Sequence, residues 1–277
     1  MLKSLLVTIA ASCVLGTAQA QQLRTPAPSP SQMVRQDFGI SNVELNYSRP
    51  GIKGRKLFTD LAPYGQVWRT GANAATRLKF ADDVTIGGQP LKAGEYAVFT
   101  IPNQNEWEVI INKGSANWGT DYNKDLDVLR FKVPSTTSSN FVETFTMQFG
   151  NIKNNSMDLQ LMWANTVVNV PISVDIDKKI MGQIDQLMNK DNRPYYAAAM
   201  YYMDNGKDLN QAAQWLDKAV EAQPNAYWVH YQRANALAKL GKKKEAMEAS
   251  QKSMALAKEQ NNPDYVRMNE KLQASLK

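Results

Sequence analysis

Residues 157–174 read MDLQLMWANTVVNVPISV, and apolar and polar side chains alternate in two runs of this stretch. In residues 157–163 every odd-numbered side chain is apolar, and in residues 168–174 every even-numbered side chain is apolar. Successive side chains of a β-strand point to opposite faces, so this period of two puts one apolar row on one face. The stretch therefore predicts β-structure with one face buried in a core.

The same period of two recurs in the residues that precede this stretch. Strands are predicted at Val43–Tyr47, Thr76–Phe80, Val84–Ile86, from Gly94 along GEYAVFTIP, and at Trp107–Ile111, Val128–Val133 and Phe145–Phe149. The pair Gly87-Gly88 predicts a tight hairpin turn. Many short alternating strands with turn residues between them favour an antiparallel β-sandwich or barrel-like domain over residues 34–175.

After Asp177 the period changes to 3.6, and Ala-rich segments replace the β-branched ones. A 34-residue self-similarity relates Ala212 and Ala219 to Ala246 and Ser253. This spacing of small residues resembles tetratricopeptide repeats, although the second unit lacks a closing proline at the equivalent of Pro224. We expect a tetratricopeptide-like helical domain over residues 176–277, and hence an α+β multidomain chain.

The N-terminus predicts export. Residues 1–20 combine one positive charge, an apolar run over 5–15 and small residues at 18 and 20, which is typical of a secretory signal peptide. Residues 21–33, rich in Pro, Ser and Gln, are predicted to be a flexible lead-in. We expect a periplasmic or extracellular protein without a transmembrane anchor in the mature chain, because the apolar run is too short to span a bilayer.

Cys13 is the only cysteine, and it leaves an alternative open. The Ala-Ser-Cys sequence around it faintly resembles a lipoprotein processing site. If cleavage instead follows Ala20, the mature chain contains no cysteine, and disulfides and thiol chemistry are excluded.

Charge and residue types exclude several classes of function. The net charge of +6 is mild, and no basic face with interleaved aromatic residues is apparent, so nucleic acid is not an expected partner. The single histidine, His230, lies in the helical part, where it is predicted to fill a position between helices. Ser-His-Asp or Cys-His catalysis and histidine-based metal sites are therefore excluded from the β domain, and no cofactor is expected.

Several long motifs of the β domain resemble a known family. These are YSRPGIKGRKLF, PYGQVWRTGANAAT, VTIGGQPLKAGEYAVFTIP and EWEVIINK, in that order along the chain. Together they resemble the domain-of-unknown-function family numbered 2911, over about Ser41 to Val174. The resemblance implies an exported protein of Bacteroidetes-type bacteria with a trailing helical region, and it implies no activity, cofactor or catalytic residue.

The segment 47–76, YSRPGIKGRKLFTDLAPYGQVWRTGANAAT, is the candidate ligand site. It holds five basic residues but only one acid, Asp60. The candidate ligand-binding residues are Arg49, Lys53, Arg55, Tyr64, Trp68, Arg69, Asn73 and Thr76. The guanidinium groups of the arginines could bind a carboxylate, a phosphate or a sugar. Alternatively, they donate hydrogen bonds to loop carbonyl oxygens and stabilise the turn. Trp107 and Trp118 are either a platform for stacking sugars or core residues.

A weaker metal candidate lies in the sequence DYNKDLD. Its alternating oxygen side chains, Asp121, Asn123, Asp125 and Asp127, are spaced like the ligands of a calcium loop. Leu126 stands where the sharp turn of such a loop needs glycine, and Lys132 stands where a closing glutamate belongs. The alternative is a polar connection that leads into the strand at Val128.

Two classes of function remain open. In the first, the chain is a non-catalytic binding or assembly module of the cell envelope. Its β domain would hold a glycan, a peptide or a small anion, and its helices would dock a partner protein. In the second, it is a hydrolase that uses carboxylates such as Asp60, Glu95, Glu106 or Asp121, although nothing in their spacing pairs them.

Overall fold

The structure is a computed structural model that describes residues 25–114 and 121–277. The predicted leader, Cys13, the start of the lead-in and Trp118 lie outside the described residues. The chain divides into two compact units, and the second unit is Ile176–Lys277.

In its described residues, the first unit is built on one antiparallel sheet of nine strands. They are β1 (Ser31–Phe38), β2 (Ser41–Ser48), β3 (Thr76–Phe80), β4 (Val84–Ile86), β5 (Gln89–Leu91), β6 (Gly94–Ile101), β7 (Glu106–Asn112), β8 (Asp127–Gly150) and β9 (Ser156–Ser173). The strand order is β1-β2-β3-β6-β7-β8-β9-β4-β5, and every neighbouring pair is antiparallel. The predicted α+β class and the antiparallel sheet are confirmed.

Two strands are longer than the sequence pattern indicates. The runs at 128–133 and 145–149 belong to the single 24-residue strand β8, and both runs of the opening stretch, apart from Val174, belong to β9. The β8–β9 pairing shifts register between Thr137 and Val142 and again before Thr146. Such irregularities interrupt the alternation without ending a strand, so the pattern alone reads each long strand as two.

The alternating apolar residues form the core, as at Leu45, Leu78 and Leu161, which are all at most 2% exposed. Contacts between distant strands enclose this core. The Tyr47 hydroxyl accepts from the Met147 backbone N–H at 2.8 Å, and Gly51 bridges to Thr144 on β8. The end of β2 therefore meets the second half of β8, although these strands are not neighbours in the sheet.

The second unit contains six helices, α1 (Asp177–Met188), α2 (Tyr195–Asp204), α3 (Leu209–Ala222), α4 (Tyr227–Lys239), α5 (Lys243–Glu259) and α6 (Pro263–Leu276). From α2 onward each helix packs against the next, and α4 also contacts α2 and α6. Small side chains at the repeated positions are buried, for example Ala212 and Ala246, which are both 0% exposed. No helix among the described residues is long and apolar enough to cross a membrane.

His230 lies on α4 and is 7% exposed. Its Nε2 donates to the Pro224 carbonyl oxygen at 2.9 Å, and burial lowers its pKa. The buried ring thus has a hydrogen-bond partner within the helical unit, as is expected of a histidine that packs between helices.

Candidate functional site

The candidate residues lie mainly in the connection between β2 and β3. Hydrogen bonds of Trp68 attach this connection to the sheet. Trp68 exchanges two backbone hydrogen bonds with Thr100 of β6, at 2.7 and 2.9 Å. Its indole Nε1 donates to the carbonyl oxygen of Gly71 at 3.1 Å. Gly71 has φ of +153°, and a Cβ there would lie 2.9 Å from the Ser48 carbonyl oxygen, so a side chain does not fit.

Several aromatic rings pack against Trp68. Its ring stacks on Trp163 with centroids 5.4 Å apart and planes 19° apart. Phe145 and Trp107 contact it edge-on at 4.9 and 6.1 Å. Trp107 is 2% exposed, so it belongs to the core and does not offer a free face for stacking a sugar.

The backbone beyond Trp68 is strained. Thr70 and Asn73 adopt positive φ of +55° and +60°. For a β-branched residue such as Thr70 this left-handed conformation costs about 1–2 kcal/mol, and such strain clusters at functional sites. The buried Thr70 hydroxyl pairs with Thr100 Oγ1 at 3.1 Å, which helps to hold the turn in place.

Two of the predicted arginines brace the backbone. Arg49 donates from Nε to the Phe145 carbonyl oxygen at 3.1 Å and from Nη2 to Thr146 Oγ1 at 2.7 Å. Arg55 donates to the carbonyl oxygens of Ile52 and Gly51 at 3.1 and 2.7 Å. The bracing interpretation therefore describes Arg49 fully and Arg55 in part.

Other candidates also have protein partners. Lys53 is exposed and donates from Nζ to the Pro28 carbonyl oxygen at 3.2 Å. The Asn73 amide donates to the Ser29 carbonyl oxygen and to Ser48 Oγ, each at 3.3 Å. The Thr76 hydroxyl is buried and donates to the Thr70 carbonyl oxygen at 2.5 Å. Tyr64 stacks on Phe58, with centroids 4.4 Å apart, and is 44% exposed.

Arg69 differs from all of these. Its Nε is buried, and it has no hydrogen-bond partner among the described residues. A buried donor left unpaired costs about 1–3 kcal/mol, and more when it is charged. Arg69 lines two cavities.

We name the two cavities after one lining residue each. The Asn73 cavity has a volume of about 260 Å³, and Arg55, Trp163, Pro50 and Ala72 are among its lining residues. The Tyr122 cavity has a volume of about 340 Å³, and Pro63, Val67 and Phe99 are among its lining residues. Leu61, Trp68 and Arg69 line both cavities.

The positive charge of this region is not balanced by ion pairs. Among the described residues, no salt bridge joins Arg49, Lys53, Arg55 or Arg69 to a carboxylate. The two nearby acids instead accept from backbone N–H groups, Asp60 from Lys56 at 2.9 Å and Glu143 from Lys53 at 2.7 Å. No ion pair among the described residues therefore neutralises the positive charge of these four side chains.

A further cavity, of about 740 Å³, lies elsewhere, near the turn between β8 and β9. The charged lining residues Lys153 and Asp158 stand there beside Asn151, whose amide donates to the Asp158 carboxylate at 2.6 Å. Its lining includes none of the buried donors that lack a partner. Its size alone does not indicate a specific ligand.

The residues of the calcium candidate have protein partners. Asp127 accepts hydrogen bonds from Asn112, Tyr122 and Arg130, all at 2.7–2.8 Å. Asn123 Oδ1 accepts from the Asp125 backbone N–H at 2.9 Å. Within residues 25–114 and 121–277, no three side chains of His, Cys, Asp or Glu gather as a metal site.

The carboxylates of the hydrolase alternative are dispersed. Glu95 pairs with Arg77 at 3.7 Å, and Glu106 pairs with Lys132 at 2.5 Å. In the described part of the chain, neither these two nor Asp60 and Asp121 line the cavities at Arg69.

Tyr122 and Trp163 are site residues that sequence reasoning missed. The Tyr122 hydroxyl donates to Asp127 and accepts from Arg130, and burial raises its pKa, so its neutral ring forms the cavity wall. Trp163 belongs to the alternating pattern of β9, which marks it as a core residue. No local signal shows that Trp163 also lines a cavity with Arg69, because the two residues are 94 positions apart in the chain.

The contrast between Arg49 and Arg69 predicts that alanine destabilises the fold at Arg49 but not at Arg69. Arg49→Ala is expected to lower the free energy of unfolding by about 1.5–3 kcal/mol, because it removes hydrogen bonds from a charged donor. Arg69→Ala is expected not to lower it, because the substitution removes a buried Nε that has no hydrogen-bond partner among the described residues. Urea denaturation of both variants measures the difference, and equal losses would contradict it.

A family model described as "Protein of unknown function (DUF2911)" matches residues 29–172, which is more than half of the chain. The matched range contains every residue of the β2–β3 connection and all the described lining residues of both cavities at Arg69. No curated protein matches the chain.

Proposed function

We propose, from the premise that this chain belongs to the DUF2911 family of proteins of unknown function, that it is a non-catalytic binding module for a small organic anion. The anion would bind at Arg69, between the Asn73 cavity and the Tyr122 cavity. A single observation carries this proposal: the buried Arg69 Nε has no partner among the described residues. A bound carboxylate or phosphate would pair with the Arg69 guanidinium group and supply the missing negative charge.

The electrostatics of the site support an anion. Arg55 lines the same cavity as Arg69, and no described carboxylate does. In a half-buried cavity the field of the two guanidinium groups is screened less than on an open surface. A planar acceptor such as a carboxylate matches the fork geometry of arginine in a way that a point charge does not.

The lining residues support binding more than catalysis. Among the described lining residues of the two cavities there is no Asp, Glu, His or Cys, the groups that usually transfer protons or attack a substrate. The arrangement therefore offers orientation and charge to a ligand.

The surrounding architecture suits a scaffold for such a site. We infer that the sheet closes on itself in a sandwich- or barrel-like manner, which is supported by the contacts of Tyr47 and Gly51 with β8. We further infer that the helices are tetratricopeptide-like and dock a partner protein. Support comes from the buried small residues at the 34-residue repeat and from the contacts of α4 with α2 and α6. Residues 1–20 favour export to the periplasm or the cell exterior.

The proposal is tested by titrating acetate and inorganic phosphate into the full chain and into two alanine variants. Arg69→Ala is expected to weaken binding by about 1.5–3 kcal/mol, which is roughly 10- to 150-fold. Arg35→Ala is the matched control, because it removes the same charge from an exposed position on β1. Calorimetry or chemical-shift titration gives both affinities, and binding in the parent should weaken as salt is added.

Equal affinities in the Arg69 and Arg35 variants would contradict the proposal, because net charge alone would then explain binding. Failure of the parent chain to bind either anion would contradict it as well.

A further inference from the structure

The two cavities at Arg69 differ in chemistry. Apart from Arg69, the only other described polar side chain of the Tyr122 cavity is Tyr122 itself. The hydroxyl of Tyr122 is already engaged, since it lies 2.7 Å from Asp127 Oδ2 and 2.8 Å from Arg130 Nη2. The tyrosine therefore presents its ring to the cavity. The other described lining side chains besides Arg69 are apolar or aromatic, namely Leu61, Pro63, Val67, Trp68 and Phe99.

The Asn73 cavity is the more polar of the two cavities. Arg55 and Asn73 line it together with Arg69. The Asn73 amide already donates to Ser29 and Ser48. This cavity therefore offers a ligand mainly the positive charge of its arginines. Sugar recognition needs several free neutral donors and acceptors, and these residues do not supply them.

We propose that the ligand is an organic anion with one compact apolar body, such as an aryl or branched alkyl group. This inference rests on the proposed anion site. Its carboxylate or phosphate would bind the Arg69 guanidinium, and its body would fill the Tyr122 cavity against Phe99 and Leu61. The volume of about 340 Å³ is sufficient for such a body. A cavity of roughly 150 Å³ already holds benzene.

This geometry predicts an order of affinities that a plain anion site does not. Acetate and phenylacetate carry the same head group, so the ratio of their affinities isolates the contribution of the body. Phenylacetate is expected to bind roughly 10- to 100-fold more tightly than acetate, because a phenyl-sized apolar surface leaves water. Phenylacetamide, which keeps the body but lacks the charge, is expected to lose most of this affinity.

Val67 provides the structural test. It lines the Tyr122 cavity and is 39% exposed, so a larger side chain can enter the cavity without displacing the buried core. Val67→Trp is expected to bring the phenylacetate-to-acetate ratio close to one, because the indole takes the space that the body would occupy. Met33→Trp is the control, since Met33 is 67% exposed on β1 and lines neither cavity. It is expected to keep the parent ratio.

The experiment titrates acetate, phenylacetate and phenylacetamide into the full-length parent and the two tryptophan variants, and repeats the comparison with phosphate and phenyl phosphate. A parent that binds acetate or phosphate without any gain from the phenyl group would overturn the inference and leave the anion site standing. A gain that survives Val67→Trp would also overturn it, because the body would then lie elsewhere. A parent that binds none of the probes would remove both the inference and the proposed function.

Discussion

Trp163→Ala is expected to lower the free energy of unfolding of the β unit by about 3–5 kcal/mol, the usual loss for a large buried aromatic residue. Trp163 is 1% exposed, stacks on Trp68 and contacts Phe145 at 5.3 Å. Its Nε1 also donates to the Glu143 carbonyl oxygen at 3.2 Å. The substitution therefore opens a cavity beneath Trp68 and removes one cross-strand hydrogen bond.

Urea denaturation followed by near-ultraviolet circular dichroism measures this effect. Phe141→Ala is the control, because Phe141 is an aromatic residue of β8 that is 60% exposed. Its effect is expected to stay within about 0.5 kcal/mol. Comparable losses in the two variants would show that the ring stack beneath Trp68 does not support the fold.

Gly87→Ala is expected to destabilise the fold by about 1–3 kcal/mol more than Gly88→Ala. Both glycines form the β4–β5 turn, with φ of +56° and +79°, so alanine is strained at both positions. Only at Gly87 would the new Cβ collide with a neighbour, the ring of buried Phe131, at 2.2 Å. At Gly88 the space is open within 4 Å.

The pair of variants separates backbone strain from steric overlap, because the strain is common to both. Thermal melts of both alanine variants beside the parent measure the two losses. If Gly87→Ala and Gly88→Ala melted at the same temperature, the turn would not depend on the contact with Phe131. Gly87→Ala combined with Phe131→Leu should recover part of the loss if the overlap is its cause.

Much of the β unit could be predicted from sequence because its signals are local. The alternation of β3 and the Gly87-Gly88 hairpin were predicted at the positions that the structure shows. The length of β8 was not, because its register shifts arise from pairing with β9 and interrupt the local alternation. The order of strands in the sheet was not predicted either, since β4 pairs with the distant β9.

The candidate site divides in the same way. The excess of basic residues in segment 47–76 is visible in the sequence, and so is the need for glycine at special backbone angles. In the sequence Arg49 and Arg69 are equivalent candidates. The structure distinguishes them, because Arg49 is satisfied by Phe145, which lies 96 residues away in the chain, whereas Arg69 borders two cavities.

The sequence by itself determined the antiparallel β-structure, the helices that follow it and the positive charge of the β2–β3 connection. These follow from side-chain period, turn residues and composition, which act over a few neighbouring residues. Only the tertiary structure decided which donors are satisfied and where space remains. Hydrogen-bond satisfaction and cavity shape depend on groups that are far apart in the chain and meet only in the folded structure.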